Sequence, residues 1–180
     1  MHNCLVGSEM CIRDRYKGGL PPFFMTTPDI LDLHPNLPFI LDFNSYSNKK
    51  SFSGKLVTVD CPDDNSLVKE VLGTDGGGSV LFVNGNDSKK VAFLGDNLAL
   101  LGKQNNWSGV IVNGCVRDVE ILQSLDFGIY ARGSCPKKSK KEGKGKLNSI
   151  FKVNNVEIKP NQWVYADENG IVISEHEIVL

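Results

Sequence analysis

Between Lys55 and Leu125, short runs of β-branched apolar residues alternate with amphipathic segments bounded by Asp, Asn and Gly. Lys55–Cys61 predicts a strand. Asp63-Asp64-Asn65 then offers N-caps to a helix over Ser66–Leu72, with Gly73 placed as its C′ residue. Gly76-Gly77-Gly78 predicts a turn and Ser79–Val83 a strand, while Lys89–Leu94 reads as helical, stopping at Gly95. A second helix is predicted from Asn97 through about Asn105, with Leu98, Leu100 and Leu101 as its apolar contacts. Val110–Val112 predicts a short buried strand and Val119–Leu125 another helix. Strands and helices alternating at this spacing predict parallel pairing with right-handed crossovers.

The flanks differ in character. Upstream, Thr27 is expected to cap a short helix with Pro28 at its first position and Ile30, Leu31 and Leu33 on one side. Residues 35–53 read as an irregular connection. Downstream, Phe151-Lys152-Val153 and Val156-Glu157-Ile158 flank Asn154-Asn155, an amide pair able to enter the left-handed region and close a hairpin. Trp163–Ala166 and Gly170–Ser174 flank Asp167-Glu168-Asn169 as a second hairpin. Residues 25–180 are therefore read as a single α/β domain with a β-hairpin-rich C-terminal part. Residues 1–24 are set aside as a non-native or disordered extension, because residues 5–15 resemble a translated sequencing adapter and a credible helix start follows Met25.

Composition narrows the function classes. The 180 residues carry a formal net charge of −1, which argues against a nucleic-acid binder that works by bulk electrostatics. No apolar run approaches the ~18 residues of a membrane span, so a soluble, cytoplasmic domain is expected. Of five cysteines, three lie beyond the extension: Cys61, Cys115 and Cys135. None forms a CxxC pair and the histidines are scattered, which predicts reduced thiols and no structural zinc site. Residues 136–146 hold six lysines in eleven residues, with no interleaved aromatic or arginine to stack on bases, and are read as a solvated loop.

Two turns carry candidate chemistry. In Gly95-Asp96-Asn97-Leu98, the backbone N–H groups of a helix start are a ready site for a carboxylate, although simple N-capping by Asp96 or Asn97 accounts for the same residues. Asn113-Gly114-Cys115-Val116-Arg117-Asp118 follows a buried strand. Arg117 and Asp118 should therefore sit at the C-terminal edge of the parallel sheet, where open α/β folds place ligands. The two could form only an ion pair. They could also divide labour, the guanidinium gripping a carboxylate and the aspartate holding a divalent metal. Spacing alone leaves both open.

Twenty residues separate Asp96 from the Arg117-Asp118 pair. That run resembles the D-x20-R-D motif of the family containing class II 4-hydroxy-4-methyl-2-oxoglutarate aldolases and the regulator of ribonuclease activity A. Phe52-Ser53-Gly54-Lys55-Leu56-Val57-Thr58-Val59, Trp107-Ser108-Gly109-Val110-Ile111-Val112-Asn113-Gly114 and Trp163-Val164-Tyr165-Ala166-Asp167-Glu168-Asn169-Gly170-Ile171 are similar to further segments of it. The resemblance implies a swivelling β/β/α-type fold and a homotrimer with sites at subunit interfaces. It implies that Gly95, Asp96, Asn97 and Leu98 bind the pyruvyl end of an oxo-acid substrate. Arg117 would contact its carboxylate or keto oxygen, Asp118 would bind Mg²⁺ or Mn²⁺, and Asp96 would organise the water beside the metal. The implied activities are aldol cleavage to pyruvate and decarboxylation of oxaloacetate. The rival inside the family is a non-catalytic, protein-binding regulator of ribonuclease E. That branch has glutamine after the arginine, and this chain has Asp118. A phosphohistidine carrier lacks a histidine in a glycine-rich turn here, and no lysine stands out as a Schiff-base nucleophile. Cys115 is read as a packing residue.

Overall fold

The computed structural model describes residues 25–178. In chain order the elements are α1 (Thr27–Leu33), β1 (Phe39–Ile40), β2 (Asn44–Ser45), β3 (Phe52–Asp60), α2 (Ser66–Leu72), β4 (Val80–Leu94), α3 (Asp96–Gln104), β5 (Gly109–Val116), α4 (Val119–Leu122), β6 (Gly128–Ser134), β7 (Lys146–Leu147), β8 (Phe151–Val153), β9 (Val156–Ile158), β10 (Trp163–Asp167) and β11 (Gly170–Ser174). Strands β3, β4, β5 and β6 pair in parallel, as the alternation predicts. The whole sheet has nine strands in the order β1-β11-β10-β3-β4-β5-β6-β2, with β7 attached to β3. The result is a mixed α/β fold with one large sheet and few helices.

Strand β3 joins the two halves by changing partner along its length. Phe52–Lys55 pairs antiparallel with β10, and Leu56–Asp60 pairs parallel with β4. Because side chains alternate across a strand, the parallel strands supply two cores at once. Leu81, Val83, Val110, Val112, Ile129 and Ala131 face a core shared with Val68 and Leu72 of α2, Ala99 of α3 and Leu122 of α4. Val80, Phe82, Ile111 and Tyr130 face the other way, against Val153, Ile158, Val164 and Ile173 of the C-terminal hairpins. Helices thus cover one face and β structure the other. All eight residues of β5 are buried, which is why Gly109–Val112 is apolar without alternation and the buried Asn113 amide donates to Asn84 Oδ1.

Both predicted hairpins form, β8–β9 and β10–β11. Asn154 and Asn155 adopt φ of 47° and 67°, as a two-residue turn with both positions left-handed requires.

Several expectations are corrected. Lys89–Leu94 is not a helix but the end of β4, whose register against β5 shifts between Asn84 and Ser88, between Ser88 and Ala92, and between Ala92 and Leu94. The cause is tertiary. Val91–Leu94 is an apolar run too short to fix its own period, and β5 offers Cys115 and Val116 as ladder partners. Asn86 and Asp87, with φ of 52° and 54°, let the strand bulge outward before it returns. The cap of α1 is Thr26, not Thr27. Thr26 forms a capping box with Asp29, and the buried Thr27 hydroxyl donates instead to Asp167 at 2.7 Å. Gly73 closes α2 in the right-handed region, with φ −75°, so it is not a left-handed C′ residue. Helix α4 ends at Leu122, short of the predicted Leu125. The connection over 35–53 contains β1 and β2, and the strand β6 was not anticipated. The reading of residues 1–24 lies outside the described residues.

Candidate active site at the sheet edge

The two chemically interesting turns are neighbours because their strands are. Gly95 follows the last residue of β4 and Arg117 the last of β5, where Leu94 and Val116 are register partners. The Arg117 N–H donates to the Leu94 carbonyl at 2.9 Å, tying the second turn to the first. Residues twenty-two apart in sequence are thereby locked at the C-terminal edge of the parallel strands.

Gly95 is the N-cap of α3 and gives it no side-chain cap. Its importance is spatial: a Cβ there would lie 2.8 Å from Asp118 Oδ2 and 3.1 Å from Arg117 Nε. The absent side chain makes room for the Arg117–Asp118 pair to lie against the start of α3. Of the first-turn amides, Asn97 N–H is occupied by Asp96 Oδ1 at 2.7 Å, and the Asn97 side-chain amide donates to the same oxygen at 2.9 Å. Among the described residues, the amides of Asp96 and Leu98 have no partner, as the geometry of a helix start dictates. The expected anion site over Gly95–Leu98 therefore rests on two of its amides, not all of them.

Asp118 sits in the left-handed region, with φ 57° and ψ 42°, which Asp tolerates better than most residues. It occupies the N-cap position of α4 without capping it. The conformation turns its carboxylate away from α4 and back toward Arg117, whose Nε lies 3.2 Å from Oδ2. That contact lacks hydrogen-bond alignment, and Oδ2 is buried without a hydrogen-bond partner. Its charge is paired with Arg117, but the oxygen makes no hydrogen bond and keeps lone pairs for a further ligand. A hard cation suits it. Among the described residues no group of three or more His, Cys, Asp or Glu side chains gathers, so Asp118 would hold a cation without a cluster of such side chains around it. One carboxylate with water and substrate oxygens completing the shell is the mode that Mg²⁺ favours.

The turns open onto a cleft of about 420 Å³. Asp96, Asn97, Leu98 and Arg117 line it together with Lys69 of α2 and with Lys138, Ser139 and Lys141. Sequence reasoning missed the contribution of this last segment. The lysines of 136–146 are largely exposed, as a solvated loop requires, but the backbone beneath them is fixed. Cys135 N–H donates to Val116 O, Ala92 N–H donates to Lys137 O, each at 2.8 Å, and Lys140 bridges to Asp64. Asp64, 1% exposed, accepts from the backbone N–H groups of Ser66, Glu142 and Lys144. Burial pushes its carboxyl up, but the hydrogen bonds from Ser66, Glu142 and Lys144 outweigh it and hold the pKa at about 2. The one signal in the sequence was the Asp63-Asp64 pair, read only as a helix cap. Cys115 is buried, as expected, and burial pushes its thiol pKa up, which leaves it a poor nucleophile. No helix among the described residues is long and apolar enough to cross a membrane.

Residues 27–173 match the family model described as RraA-like, Aldolase/RraA. A Hahella chejuensis protein named "Putative 4-hydroxy-4-methyl-2-oxoglutarate aldolase" is 42% identical over 150 residues, which are 82% of this chain and 92% of that protein. The solved structure of the RNA-processing inhibitor RraA from Thermus thermophilis superposes with a TM-score of 0.84 at 38% identity, covering 87% of this chain and 96% of that one. A Geobacillus kaustophilus structure described as S-adenosylmethionine:2-dimethylmenaquinone methyltransferase superposes with a TM-score of 0.83 at 41% identity, covering 86% and 97%.

Proposed function

This chain belongs to the RraA-like Aldolase/RraA family, and on that premise we propose that it is a carbon–carbon lyase. The reading is a divalent-metal-dependent class II pyruvate aldolase for acids of the 4-hydroxy-4-methyl-2-oxoglutarate type, with oxaloacetate decarboxylation as a second reaction of the same site. The carrying observation is the buried, unmet Oδ2 of Asp118 beside the Arg117 guanidinium and the free amides of α3.

Cleaving the C3–C4 bond of a 4-hydroxy-2-oxo acid, or losing CO₂ from oxaloacetate, leaves a pyruvate enolate whose charge develops on the former keto oxygen. The amides of Asp96 and Leu98 bind the C1 carboxylate at the positive end of α3. Arg117 presents a fixed positive charge to the carboxylate and keto oxygen, and this interaction strengthens as the enolate forms. Asp96 takes the C4 hydroxyl proton, directly or through one water, with its Oδ1 steadied by Asn97. Mg²⁺ or Mn²⁺ held at Asp118 would supply Lewis-acid polarisation of the keto oxygen. The proposed assembly is a homotrimer.

Two other readings are less well supported. A protein-binding regulator of ribonuclease E gives no reason for a buried carboxylate oxygen to go unmet. A methyltransferase must receive a cationic sulfonium donor, and this cleft is lined by four cationic side chains and one carboxylate.

The test is pyruvate release from 4-hydroxy-4-methyl-2-oxoglutarate and from oxaloacetate, coupled to lactate dehydrogenase, with Mg²⁺ and with EDTA. Turnover that requires the metal and is lost in Asp118→Ala supports the reading. Absence of pyruvate from either acid, with a folded protein and saturating metal, refutes it.

A further inference from the structure

We propose that the strap over residues 137–141 forms a second anion site in the cleft, in which Lys138, Ser139 and Lys141 grip the distal carboxylate of a dicarboxylic oxo acid. This rests on the lyase reading and assigns the end of the substrate that the reacting atoms leave unspecified.

Three observations converge on it. The first is charge. Glu142 pairs with Lys140 and Lys144, whereas Lys69, Lys138 and Lys141 make no ion pair among the described residues. All three line the cleft, so their charges stand there without a carboxylate partner. The second is an orphan: Ser139 Oγ, between the two lysines, is buried and has no hydrogen-bond partner. A hydroxyl buried without a partner is destabilising unless a ligand atom meets it. The third is preorganisation. The strap is fixed by Ala92 N–H to Lys137 O on one side of Ser139 and by the Lys140–Asp64 bridge on the other. A site whose backbone is already fixed loses less entropy on binding.

The strap residues line the same cleft as Arg117 and the start of α3, which take the pyruvyl end. Its volume of about 420 Å³ is in the range of small-molecule sites. Charge-assisted hydrogen bonds are the strong class, so losing one lysine should reduce diacid affinity about tenfold.

The experiment measures binding, which needs no turnover. Using the full chain with Mg²⁺ at fixed ionic strength, 2-oxoglutarate and 2-oxopentanoate are titrated calorimetrically. They share the oxo-acid end and the chain length and differ in the distal carboxylate. The intact protein should bind 2-oxoglutarate at least tenfold more tightly. Lys138→Gln and Lys141→Gln should each collapse that ratio, and Ser139→Ala should lower it severalfold. Equal affinity for the two acids in the intact protein overturns the proposal, and so does a Lys variant that weakens both acids and preserves the ratio. If the ratio behaves as expected but no 4-hydroxy-2-oxo acid yields pyruvate, the lyase reading fails and the diacid site stands.

Discussion

Replacing Asp64 by Asn should release the strap while leaving the sheet intact. The wild-type carboxylate accepts from Ser66 N–H at 2.7 Å through Oδ1 and from the Glu142 and Lys144 N–H groups through Oδ2. An amide has only one acceptor oxygen. If that oxygen stays with Ser66, the NH₂ faces two N–H donors, and the unmet groups cost about 2–3 kcal/mol of stability. The charge gives a second estimate. A carboxyl held at about 2, below its ordinary value, corresponds to about 1–2 kcal/mol once solvent screening at the strap is allowed for. The folded pKa is depressed, so this stabilisation is present above about pH 4 and is lost as pH falls toward 2. Urea unfolding at pH 7 should therefore show the variant less stable by about 2 kcal/mol, and the gap should narrow steadily below pH 4. Hydrogen exchange should show the Glu142 and Lys144 amides losing protection, with the β5 amides unaffected. Equal stability at pH 7 together with unchanged protection at 142 and 144 would refute the reasoning.

Other outcomes follow from single contacts. Gly95→Ala keeps an accessible backbone conformation but drives a Cβ into Arg117 and Asp118, so kcat/KM should fall about a hundredfold while the stability changes by less than about 1 kcal/mol. Steady-state kinetics paired with a thermal melt check both halves. Gly128→Ala drives a Cβ into the buried Phe52 ring and should destabilise by about 2–3 kcal/mol in urea titration. Burial, with the Asp60 and Asp64 charges adding, pushes the Cys61 thiol pKa up to about 12, so at pH 8 it stays protonated. Iodoacetamide should then label the partly exposed Cys135 before the buried Cys61 and Cys115, as read by peptide mass spectrometry.

How much of this was legible in the sequence depended on how local the cause was. Asn154-Asn155 announces its hairpin because few residues tolerate two consecutive positive φ values. Val110–Val112 announces a strand buried on both faces, and Arg117-Asp118 immediately after it falls at the strand's C-terminal edge. The α1 cap was missed by one residue, and the larger failures are non-local. Lys89–Leu94 is extended because β5 lies beside it, and nothing in its own composition says so. The strap was read as a solvated loop because its lysines do face water. What fixes it is a buried aspartate some eighty residues earlier and an amide at Ala92. The D-x20-R-D spacing stood out as a motif before it had a physical meaning. That meaning is one hydrogen bond, Arg117 N–H to Leu94 O, between adjacent strand ends.

The strap is held to the body of the protein almost entirely through its main chain: Cys135 N–H, Lys137 O, and the amides of Glu142 and Lys144. The side chains of Lys138 and Lys141 contribute nothing to that attachment. Mutations at those positions can therefore accumulate without loosening the fold, whereas Gly95, Arg117 and Asp118 are constrained by each other at the ends of two neighbouring strands. Under the proposed roles, reaction type and acid preference lie on different segments of the chain. On that reading, a lineage built on this scaffold can drift among substrates by editing Lys138, Ser139 and Lys141, while keeping the residues at the strand ends as they were.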